Sequence, residues 1–130
     1  MKNRIGRVVA GVAALAAALV ATTAGNALAA ERITYDHTFT DAGVKVQVKE
    51  NGDVITVCDT KKNGQPAWVS VQVDGVTEYD IVNKGGYGTC RTARASNGGR
   101  RDLAEGWTIH LYFDGDGVGN PAHKSYLNDH

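Results

Sequence analysis

The chain predicts an all-β fold, an antiparallel β-sandwich of about six or seven short strands braced by one disulfide. Three observations carry this. Beyond residue 30, apolar and polar residues alternate with period two, as in strands that bury one face, and helical periodicity is weak. The alternating runs are short and separated by turns rich in Gly, Asn and Asp. The chain holds two cysteines, Cys58 and Cys90, set around its middle.

The elements follow in order. Ile33 to Phe39 alternates loosely and makes a first strand, ended by the turn Asp41-Ala42-Gly43. Val44 to Lys49 sets three valines on one face and Lys45, Gln47 and Lys49 on the other. Asn51-Gly52 is a strong hairpin signal, because both residues tolerate positive φ. Val54 to Cys58 returns, apolar on both faces as a central strand is. After Lys61-Lys62-Asn63-Gly64, Ala67 to Val73 alternates again, with Trp68, Ser70 and Gln72 opposite the valine face. Asp74-Gly75 is a second hairpin turn, and Val76 to Val82 comes back from it. Asn83 to Gly106 reads as one long loop. Trp107 to Phe113 is the last strong strand, with Trp107, Ile109, Leu111 and Phe113 inward. Asp114 to Asn120 turns, and Lys124 to Leu127 forms an edge strand.

The first residues are of another kind. Lys2, Arg4 and Arg7 precede the apolar run Val8 to Val20, and Ala27-Leu28-Ala29 follows as a small-x-small pattern. These parts in this order describe a secretory signal peptide over residues 1–29. The run falls short of the ~20 apolar residues of a membrane span. Residues 30–130 are then a single secreted, extracellular β domain with no span after cleavage. Of fourteen Lys and Arg, three leave with the signal, so eleven remain against fourteen acids. A mildly acidic domain is not a general nucleic-acid binder.

Export bears on the cysteines. Outside the cytosol a lone pair in a small domain closes a disulfide, Cys58–Cys90, rather than serving redox chemistry. CxxC is absent, and His37, His110, His123 and His130 show no zinc-ligand spacing.

Four stretches hold the remaining polar chemistry. Arg91, Arg94, Arg100 and Arg101 crowd the segment after Cys90. Such a group meets carboxylates or phosphates, or simply solvates a loop. Trp68 is either an exposed contact on the polar face of its strand or buried beneath a loop. With Tyr79, Tyr87, Tyr112 and Tyr126 it offers a sugar- or protein-binding surface. Asp114, Asp116 and Asn120 in DGDGVGN read as a Gly- and Asp-rich turn or as a weak calcium site. Ser125 stands where an EF-hand loop places its bidentate Glu, and Pro121 opposes the following helical turn. No GxSxG elbow is present, and Glu78 and Asp80 are merely neighbours on one strand face, so no catalytic set emerges.

"VITVCDTKKNGQPAWVSV", then "GTC", then "GWTIHLYFDGDGVGN" resemble small secreted actinobacterial, Streptomyces-like, disulfide-clamped β-domain proteins of unassigned function. The likeness covers about Val54 to Asn120 and rests on V-x-x-V-C-D-x-x-x-x-G and Cys90. It implies an extracellular, non-catalytic role. The expected function is therefore a secreted binding or adaptor domain that meets another extracellular protein or a cell-surface polymer. Its expected surface joins Arg91, Arg94, Arg100 and Arg101 with Trp68 and Tyr112. No cofactor beyond the calcium reading is expected. The alternative is a small enzyme inhibitor or toxin component presenting Asn83–Gly106 as its reactive segment.

Overall fold

Strand pairing begins only where a partner exists, and this sets the first element. The computed structural model describes residues 32–130, so the signal-peptide reading of residues 1–29 lies outside the described residues. β1 spans His37–Asp41 and pairs with β2, Val44–Lys49, from His37 opposite Val48 to Asp41 opposite Val44. The expected strand from Ile33 starts later, because β2 ends at Lys49 and leaves residues before Asp36 nothing to pair with. β3, Val54–Asp59, lies between β2 and β6, Cys90–Ala93, and is buried along its whole length, as its two-sided apolar sequence requires.

β4, Ala67–Val73, and β5, Val76–Asn83, form a hairpin around Asp74 (φ 50°) and Gly75 (φ 74°), the paired positive φ values of a tight two-residue turn. Cys90–Ala93 forms β6, followed by two single 3₁₀ turns at Ala95–Asn97 and Gly99–Arg101. This corrects the single loop expected from Asn83 to Gly106. CRTA has no alternation to announce a strand; it becomes one by pairing with β3, Cys90 opposite Cys58. β7 is Trp107–Asp114, and β8, Ala122–Asn128, extends the expected edge strand at both ends.

The eight strands make two antiparallel four-stranded sheets, β1-β2-β3-β6 and β5-β4-β7-β8. Val44, Val46, Val48, Ile55 and Val57 of one sheet pack against Val69, Val71, Ile109, Leu111 and Phe113 of the other. Each is fully buried, which makes the shared layer of a sandwich. Trp107 does not join them and stays 49% exposed. The last register pair of β4 with β7 is Val73 with Ile109, so Trp107 overhangs its neighbour and lies beyond the core.

Cys58 and Cys90 are disulfide-bonded. The bond ties β6, an edge strand whose one partner is β3, to the centre of its sheet. Closing a loop with this separation of 32 residues stabilises the fold by about 3–4 kcal/mol in the chain-entropy model. Among the described residues no helix is long and apolar enough to cross a membrane.

Candidate functional site

At the end of the sandwich beside the disulfide, two chain segments cross between the sheets. Thr60–Pro66 carries β3 into β4, and Lys84–Thr89 carries β5 into β6. Short polar side chains hold both in place. Asn83 donates from Nδ2 to the Thr89 carbonyl (2.7 Å), and its Oδ1 accepts the Gly85 amide (3.0 Å). The Asp59 amide donates to the Thr89 carbonyl, and the Gly88 amide donates to the Asp59 carbonyl, both at 2.9 Å. Asn63 donates to the Gly115 carbonyl (2.9 Å), which links the first segment to the β7–β8 loop. These side-chain and backbone bonds take the place of a strand ladder and leave two braced walls.

Between the walls lies a cleft of about 510 Å³, lined by Lys61, Lys62, Lys84, Tyr87, Asn83 and Asp59 among others. Tyr87 is 63% exposed and presents its ring to solvent. A smaller hollow of about 250 Å³ shares Asp59 and Tyr87 and adds Lys45 beside the disulfide. Among the described residues none of these four lysines forms an ion pair. Asp59 is buried and spends its Oδ1 on the Lys61 amide (3.0 Å). The result is a concave surface with ammonium groups on its rim, an exposed aromatic ring and a braced floor. Such a surface favours carboxylates or phosphates: each ammonium supplies donors, and the ring adds apolar contact.

The expected surface is divided by the fold. Arg91 donates from Nη1 to the Val82 carbonyl (3.1 Å), and Arg100 donates to the Thr77 carbonyl (3.3 Å). Arg101 lies over the Tyr79 ring, 5.6 Å from its centre. Three of the four arginines therefore fasten their own segment to β5. Arg94 precedes the first 3₁₀ turn, where its amide donates to Asn97 Oδ1 (2.9 Å). Trp68 and Tyr112 stand on the outer face of the second sheet, Trp68 opposite Val82 and Asp114, Tyr112 opposite Ser70. Trp68 is half-buried there, between the two readings of it. Tyr112 stacks on His123 at 4.5 Å, and His123 lies 3.0 Å from His110. Tyr79 packs against the core and Tyr126 is buried within it, so neither belongs to an aromatic surface.

The Asp114–Asn120 segment turns its oxygens on itself. Asp114 accepts the Asp116 amide (3.3 Å) and the Gly117 amide (3.1 Å), and Asp116 accepts the Val118 amide (3.0 Å). The Val118 amide, aided by the Asp114 side chain and the Lys61 charge, holds the Asp116 carboxyl below the usual carboxylate range. These bonds build the Gly- and Asp-rich turn that is one of the two readings of this segment. Asn120 is exposed at the end of the segment.

Sequence reading missed the lysine cleft because its parts are far apart along the chain. Lys61-Lys62 reads as a turn and GGYG around Tyr87 as part of a loop. The signal that joins them is the disulfide itself, since Cys58 and Cys90 precede and follow the two segments.

Fold and crosslink define a class, a small disulfide-clamped antiparallel β-sandwich with a basic cleft between its crossover loops. Comparison with protein-family models, curated proteins and solved structures finds no match.

Proposed function

We propose that the protein is a secreted, non-catalytic binding domain that holds an anionic extracellular polymer in the cleft between its crossover loops. The observation that carries this reading is the unpaired lysine rim, Lys61, Lys62 and Lys84 around the exposed Tyr87. The domain as a whole is mildly acidic, so a concentration of free ammonium groups at one end sets up a directed field for a negative chain. The intramolecular disulfide is in keeping with export. Carboxylate- or phosphate-bearing cell-surface polymers have the required chemistry.

The test is titration of the purified protein with polyglycerol phosphate and with polyglutamate over a range of salt. Binding is expected to weaken steeply as salt rises, because screening removes exposed electrostatic attraction. The Lys61→Ala/Lys62→Ala/Lys84→Ala variant should lose it, while Arg94→Ala should keep it. Equal binding by wild type and the triple variant sinks the reading. An acidic protein captured from the medium in place of either polymer would move the partner from polymer to protein at the same cleft.

A further inference from the structure

At the end of the sandwich away from the disulfide, three side chains with metal-ligand chemistry come together from two separate segments, and His37 is hydrogen-bonded to one of them. His37 opens β1, Glu50 follows β2, and Asp129 and His130 follow β8. His37 Nε2 stands 2.5 Å from Glu50 Oε1. One ligand atom from each of Glu50, Asp129 and His130 lies within 4.8 Å of the others. We propose that Glu50, Asp129 and His130 form a zinc-class divalent-metal site, with His37 behind Glu50 as its positioning partner, that ties the end of β2 to the end of β8.

Three features support this. The first is the donor set, one imidazole and two carboxylates. First-row metals such as zinc take these donors, whereas calcium and magnesium select oxygen alone. Ligands at about 2.0–2.2 Å from one zinc ion stand ~3.3–3.6 Å apart at tetrahedral angles, so the ligand atoms of Glu50, Asp129 and His130, within 4.8 Å of one another, need only small side-chain movements to share an ion.

The second is charge. The Glu50 amide donates to Asp36 Oδ2 (2.8 Å), which brings a third carboxylate to this corner. Among the described residues no Lys or Arg pairs with Asp36, Glu50 or Asp129. These three acids have no Lys or Arg counter-charge among the described residues, and a divalent cation supplies one.

The third is mounting. The Glu50 side chain is 9% exposed and that of His37 31%. The His37 ring rests 5.1 Å from the Tyr126 ring of the opposite sheet and 6.0 Å from Phe39. Asp129 and His130 are 56% and 61% exposed. Glu50 and its partner His37 are thus held by packing while Asp129 and His130 face solvent, which gives an ion both an ordered seat and an entry path.

The experiment uses purified protein without a polyhistidine tag, stripped with chelator and titrated with zinc chloride by calorimetry. One zinc per chain is expected, with calcium chloride giving no heat. Glu50→Gln and the exposed pair Asp129→Asn/His130→Ala should each weaken zinc by about tenfold or more, since even groups behind the ligands cost that much. Absence of zinc binding overturns the proposal. So does wild-type affinity in either variant, or zinc that persists in both and departs with His110→Ala at the His110–His123 pair. If circular dichroism finds Glu50→Gln unfolded, the exposed pair decides. These positions lie at the opposite end from Lys61, Lys62 and Lys84, so the polymer titration reads out separately.

Discussion

Asp53 is the residue on which the most depends relative to its size. It is buried at the β2–β3 turn, where its carboxylate accepts the Leu103 amide (2.8 Å) and Asn128 Nδ2 (3.1 Å). It thereby anchors both the β6–β7 connection and the end of β8. Burial outweighs those two hydrogen bonds and raises the Asp53 carboxyl above its ordinary value of 3.8. A raised carboxyl binds its proton more tightly in the folded chain than in the unfolded one. Its favourable share of stability is therefore present below the unfolded value and is lost as pH rises through the folded value. The stability deficit of Asp53→Asn relative to wild type is expected to shrink between acid pH and neutrality, as read by urea denaturation. A deficit independent of pH contradicts this. The hydroxyls of Tyr79 and Tyr126 are buried without a partner, and burial raises both phenols. Tyr126→Phe removes an unsatisfied group, so it should leave stability unchanged or raise it by about 1 kcal/mol. A clear loss in a thermal melt would show that the hydroxyl has a partner after all.

Among the elements, strands were readable where their own residues alternate. Val44 to Lys49 and Ala67 to Val73 form with the expected bounds because period two sorts valines from polar residues without outside help. β6 was not readable: Cys90–Ala93 has no pattern, and only the β3 ladder and the disulfide make it a strand. Connections behave likewise. The β1–β2 turn and the β7–β8 loop touch through Gly43 and Gly115, where a Cβ on either would overlap the carbonyl of the other. Neither motif, DAG nor DGDG, announces that contact. Gly115→Ala must push the two connections apart, at an expected cost of about 1–3 kcal/mol by analogy with overpacked cores. Urea unfolding measures it, and a neutral result would mean that the loops part freely.

For the whole molecule, the disulfide joins the fold to the candidate site. Cys58 and Cys90 stand at the mouths of the two segments that wall the cleft, so one bond secures β6 and spaces Lys61 from Lys84. Cys58→Ser/Cys90→Ser is expected to lose about 3–4 kcal/mol, with faster amide exchange in β6 than in β3. Retained stability with unchanged exchange would place the restraint elsewhere. The sequence by itself determined the all-β class, most strand positions and the cysteine pair, because alternation, turn chemistry and a single available thiol pairing are local or combinatorial properties. Only the tertiary structure decided which polar residues stand together. Three of the four arginines expected at a binding surface fasten β6 and its following turns to β5, while lysines that read as turn residues rim a cleft. Which groups meet depends on which strands pair and which ends face each other, and no short window of sequence contains that.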